Sequence, residues 1–174
     1  MFLNQLGLGK IPRGTAMDPV AYHGGIEAAK DNYGYLDVIH TSKLGLLDRL
    51  GHIDFYPNGG ENQPCSCQNS KEKDFKPCPG IKCKNWRDKN DHCRAPAYYE
   101  ESILNPKAFV AWKCPSSMSF KKWKNMGVDR KCSSENSSPN LAHMGEWTTS
   151  SGFPEGIYYL TTKGKSPYSS DEMM

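Results

Sequence analysis

The segment from Tyr35 to Pro64, YLDVIHTSKLGLLDRLGHIDFYPNGGENQP, narrows the possible folds more than any other part of the chain. Two short runs within it, Leu36 to Thr41 and His52 to Tyr56, are rich in the β-branched, aromatic and aliphatic residues that fill buried strands. Pro57-Asn58-Gly59-Gly60 then supplies the turn chemistry that stops the second run. The reading is of two buried strands in one sheet.

A third strand is expected over Arg13 to Met17, entered through Lys10-Ile11-Pro12, with Gly14 weakening it. Asp18-Pro19 ends it. Open α/β sheets carry functional groups at the carboxyl ends of their strands, yet a carboxylate beside proline, taken alone, reads as a turn or cap. Tyr98 to Leu104 reads as a helix that Pro106 stops, with His92 on the loop before it. An imidazole there suits either an exposed position or general base chemistry. His40 and His52 at the strand ends, and His23 in a glycine-rich loop, read as structural or exposed. Phe2 to Leu8 reads as the end of a helix, and Ala108 to Trp112 as a short apolar run.

LDVIHT and GHIDFYPNGG resemble recurrent sequences of the pancreatic-lipase-like esterases, which include triacylglycerol lipases and phospholipases A1. The resemblance extends to KIPRGTAMDP at Lys10 to Pro19, DHCRAPAYYEESILNP at Asp91 to Pro106 and GIYYLTT at Gly156 to Thr162. Several ordered motifs carry more weight than any one. The resemblance implies an α/β fold, a partial α/β-hydrolase domain: later strands of the sheet, a lid loop, flanking helices and disulfide-linked loops. All of residues 1–174 would be the C-terminal portion of that catalytic domain. By motif position Asp18 would orient the catalytic histidine and His92 would be that histidine, with Asp18 stabilising the imidazolium. The substrate implied is a lipid ester, triacylglycerol or phospholipid, at a lipid–water interface. No G-x-S-x-G elbow occurs in the sequence, so the serine is expected upstream of Met1 and these residues alone are expected to be inactive. A noncatalytic lipase-like binding or storage protein is the alternative.

Residues 65–91 form a polar, cysteine-punctuated stretch, too long for a plain connector. The family places its active-site lid here. Phe75, Ile81 and Trp86 would be its apolar contacts and its lysines would meet anionic head groups. Seven cysteines are dense for a cytosolic chain and favour secretion. No basic n-region with an apolar core opens the sequence, so secretion carries the expectation that the start is missing. The expected pairs are Cys114 with Cys132, Cys78 with Cys83, and Cys93 with Cys65 or Cys67, leaving one thiol over. Zinc ligation is disfavoured because Cys65-x-Cys67 departs from paired C-x2-4-C knuckles. Where relatives carry calcium carboxylates, this chain has Ala29 and Asn32, leaving Glu27 and Asp31; no metal and no cofactor are assigned. Asn136-Ser137-Ser138 matches the glycosylation pattern.

A net charge of +3, with basic residues dispersed through loops, gives no nucleic-acid stripe. Mean hydropathy of −0.71 comes with no segment approaching a membrane span.

Overall fold

A computed structural model of the chain describes residues 9–20, 30–64, 91–115, 120–125, 141–148 and 154–170. Its centre is a six-stranded sheet. The strands are β1 (Ile11–Met17), β2 (Tyr33–Ile39), β3 (Ile53–Pro57), β4 (Val110–Lys113), β5 (Leu141–His143) and β6 (Gly156–Leu160), in the spatial order β1-β2-β3-β6-β4-β5. The first four in that order run parallel, while β4 is antiparallel to β6 and to β5. Parallel neighbours need crossovers, and those crossovers bury both faces of the sheet, so β2 from Tyr35 to Ile39 and all of β3 and β6 are buried.

The alternation of strand side chains sorts the core into two clusters. Tyr35, Ile39, Ile53, Phe55, Tyr158 and Leu160 face the helix α1 (Arg94–Leu104), which contributes Ala95 and Tyr98. Tyr56, Ile157 and Tyr159 face the other way, onto Trp123 of the short helix α2 (Phe120–Lys124) and Cys114. Phe55 lies against Tyr158 with centroids 5.6 Å apart, and a ring buried so completely contributes roughly 2–3 kcal/mol by area.

The strands expected from composition are present with shifted ends. β2 begins at Tyr33, because Tyr33 pairs with Ile11, and stops at Ile39, because the Thr41 N–H leaves the ladder for a side-chain acceptor. Gly14 stays within β1 because the Tyr33 ring fills its side-chain space: an added Cβ would lie 2.4 Å from that ring. Helix α1 starts one turn before the expected Tyr98; Pro96 is accommodated in the first turn, where backbone N–H groups have no helical partner.

The mixed sheet and, among the described residues, the two α-helices agree with a partial α/β-hydrolase domain. The lid-like stretch lies outside the described residues except for its last member, Asp91, which is buried and accepts from the Gln63 N–H at 3.2 Å. His23, Glu27, the pair Cys78–Cys83 and Asn136 also lie outside them.

Candidate active site

β1 and β2 end together, with Met17 in register with Ile39. Asp18 follows β1 with φ of 49°, a left-handed conformation that aspartate tolerates better than most residues, and its N–H donates to Ile39 O at 2.7 Å. This turn directs a fully buried carboxylate at the segment following β2. Oδ1 accepts from the backbone N–H groups of Thr41 at 2.7 Å and Ser42 at 3.0 Å. Oδ2 accepts from the Ser42 hydroxyl at 2.5 Å and from His92 Nδ1–H at 2.7 Å. A buried carboxylate is tolerable only with its oxygens satisfied, and here four donors satisfy it. Gly45 closes over the group: a Cβ there would lie 2.4 Å from Asp18 Oδ1.

The structure thus brings together the two residues singled out from sequence, 74 positions apart. Because a carboxylate only accepts, Nδ1 carries a proton and the neutral ring keeps its lone pair on Nε2. The His92 side chain is 36 % exposed, and among the described residues Nε2 has no hydrogen-bond partner. The bond to Asp18, with Asp18's charge adding, raises the His92 pKa against the opposing pull of burial.

A buried polar network joins the two sides of the site. The Gln63 amide donates to Thr41 O at 2.9 Å and Pro57 O at 3.1 Å, and accepts from Asn58 Nδ2 at 2.8 Å and Tyr98 OH at 3.0 Å. Its backbone N–H binds Asp91, the residue before His92. Thr41 therefore ties Asp18 to this amide, and Asp91 ties the amide to His92. Arg94 anchors the start of α1 on Pro64 O and Gly164 O, at 3.2 and 2.9 Å.

The other described histidines have structural partners. His40, fully buried, contacts Leu46 O through Nδ1 at 2.7 Å and Asp54 Oδ1 through Nε2 at 3.0 Å, and stacks on Tyr56 at 4.3 Å. His52 Nδ1 accepts from Leu36 N–H at 3.0 Å. His143 Nδ1 donates to Ala108 O at 3.1 Å. Asp31 lies exposed, and the described residues contain no group of three candidate metal ligands.

The expected pairing of Cys93 is overturned. Cys93 is a free, partly buried thiol at the start of α1, and burial raises its pKa. Sequence proximity to the cysteine-rich stretch suggested a bridge there, but the Cys93 thiol is unbridged. Cys114 is disulfide-bonded, with its partner outside the described residues.

Sequence reading missed Ser42, Gln63 and Gly45. Ser42 and Gly45 sit in SKLG, and Gln63 in ENQP after GHIDFYPNGG, stretches that carry no motif of their own.

A family model described as Lipase matches residues 4–168. The chain is similar to pancreatic lipase-related protein 3 of Homo sapiens, 31% identical over 93% of this chain and 36% of that protein. It is similar to pancreatic triacylglycerol lipase of Equus caballus, 30% identical over 92% of this chain and 37% of the relative. Inactive pancreatic lipase-related protein 1 of Canis lupus familiaris is 34% identical over 66% of this chain and 27% of the relative. The chain spans between about a quarter and just over a third of the length of these relatives.

Proposed function

The chain belongs to the lipase family, and from that premise we propose that residues 1–174 are the Asp/His part of a catalytic domain that hydrolyses lipid esters at a lipid–water interface. The observation that carries the proposal is the 2.7 Å bond between His92 Nδ1–H and a buried Asp18 carboxylate. In this reading a serine outside these residues attacks the ester carbonyl. His92 Nε2 takes its proton, Asp18 stabilises the imidazolium without taking the proton itself, and Nε2 then protonates the departing alkoxide. An imidazole whose Nδ1–H is held by a carboxylate, and whose pKa that bond raises, is suited to both transfers. Residues 65–91 would serve as the lid.

The disulfide at Cys114 supports a secreted, oxidising setting. Among the described residues no helix is long and apolar enough to cross a membrane. Triacylglycerol is the favoured substrate over phospholipid, on the length of the lid-like stretch. Hydrolysis of emulsified triacylglycerol and of phospholipid vesicles by the full-length protein tests this. Faster release of fatty acid from triacylglycerol is expected, a preference for phospholipid would reassign it as phospholipase A1, and no hydrolysis of either would refute the enzyme reading. The 174-residue chain alone is expected to turn over no short-chain ester.

A noncatalytic lipase-like protein is the second reading, favoured by the similarity to a relative named as inactive. A full-length sequence with no serine elbow before this region would select it.

A further inference from the structure

Ser42 is 1 % exposed, and every hydrogen-bonding direction of its hydroxyl is taken. The oxygen accepts from Leu44 N–H at 3.1 Å and Gly45 N–H at 3.3 Å, so its one proton goes to Asp18 Oδ2, at 2.5 Å. A separation that short fits a charge-assisted O–H···O⁻ bond. The same carboxylate oxygen receives His92 Nδ1–H. Two donors therefore compete for the charge on one atom.

We propose that Ser42 is a positioning residue of the Asp18–His92 pair, whose hydroxyl shares Oδ2 with His92 and so limits how strongly Asp18 holds the His92 proton. The inference rests on the catalytic reading of that pair. Geometry separates charge sharing from mere anchoring. Oδ1 is clamped by the Thr41 and Ser42 backbone N–H groups, and Gly45 covers the carboxylate. Removing the hydroxyl accordingly leaves the carboxylate in place and returns negative charge to Oδ2, where only His92 remains to receive it. The imidazolium is then stabilised further, and the ring gives up its proton less readily. The hydroxyl thus keeps more of His92 neutral, and able to act as a base, at any given pH.

The other charged groups nearby point elsewhere. Lys43, on the same segment, is exposed. Asp91 meets the Gln63 N–H, and Arg94 of α1 reaches Pro64 O and Gly164 O. Asp18 is the charged group that raises the His92 pKa.

The test follows the His92 Cε1 resonance against pH in full-length protein with ¹³C-labelled histidine, for wild type, Ser42→Ala and Asp18→Asn. Ser42→Ala should raise the titration midpoint by about half a pH unit, a roughly threefold change in proton binding. Asp18→Asn should lower it. An unchanged or lowered midpoint in Ser42→Ala, with the Asp18→Asn fall present, overturns the role of Ser42 and leaves the pair standing. An unchanged midpoint in Asp18→Asn overturns the pair itself. If Ser42→Ala does not fold, Ser42→Cys, close in shape and a weaker donor, takes its place: its midpoint must rise, and no rise overturns the proposal. A purely structural role for Ser42 would lower the melting temperature without raising the midpoint.

Discussion

Replacing Asp37 with asparagine should stabilise this protein at neutral pH, against the usual expectation for a carboxylate beside an arginine. Asp37 lies on the α1 face of β2 with no exposure. Its Oδ1 accepts from Thr15 Oγ1 at 3.1 Å and lies 3.6 Å from an Arg13 nitrogen; its Oδ2 is buried and, among the described residues, unpartnered. Arg13 divides its charge with Glu146, also 3.6 Å away, and Glu146 accepts from Tyr99 OH. The buried Tyr35 hydroxyl adds no donor to Oδ2. Burial outweighs Arg13 and Thr15 and raises the carboxyl from its usual 3.8 to about 7.

Unfolded, Asp37 releases its proton near pH 4; folded, it holds it to about pH 7. Between those values the unfolded state ionises and the folded state does not. The stability present at low pH is therefore lost as pH rises. A separation of about three pH units, at about 1.4 kcal/mol each, puts an upper bound of about 4 kcal/mol on the loss. Asparagine keeps the shape and cannot ionise, forfeiting only the Arg13 attraction, about 1 kcal/mol or less. Urea unfolding followed by tryptophan fluorescence should find the two proteins within about 1 kcal/mol of each other near pH 4. Near pH 7.5 Asp37→Asn should be the more stable by about 2–4 kcal/mol. If the variant is instead the less stable at pH 7.5, Asp37 is ionised in the fold and the argument from burial fails.

Asp54 predicts the opposite response. It is fully buried but pairs with His40 and accepts from Leu50 N–H at 2.9 Å, so Asp54→Ala, which strands a buried imidazole, should cost about 3–5 kcal/mol in the same assay; a loss below about 1 kcal/mol would show the pair to be dispensable. Gly45→Ala drives a methyl into Asp18 Oδ1, and any ester hydrolysis by the full-length protein should fall about 100-fold, with unchanged turnover refuting the close approach. Alkylation of unreduced, denatured protein followed by peptide mapping should label Cys93, and a disulfide-linked Cys93 peptide would contradict its assignment as a free thiol.

The sheet was legible where composition and burial coincide, as at Leu36 to Ile39 and in GHIDFYP. Strand ends were not, because they depend on what the next N–H binds: the Thr41 amide serves Asp18 rather than the ladder. β5 spans only Leu141–His143, too few residues to show a period. Asp18 and His92 were reached through motif position, since a carboxylate before proline and a histidine before a helix each read blandly alone. Ser42 and Gln63 acquire their roles only from chain segments brought near by folding, and nothing local marks a buried serine or glutamine as a linker. Cys93 misled because nearness in sequence to other cysteines does not by itself make a bridge, and this thiol is free.

The central claim is that His92 transfers protons as general base and then acid while Asp18 orients it, and its most direct test is ester hydrolysis by the full-length protein with and without His92. The wild type should release fatty acid from emulsified triacylglycerol, and His92→Ala, folded to the same melting temperature, should lose about 10³–10⁴-fold in kcat, the scale of a missing general base. An active wild type whose His92→Ala variant stays within about tenfold of it would contradict the account, since so small a loss is below that of a general base.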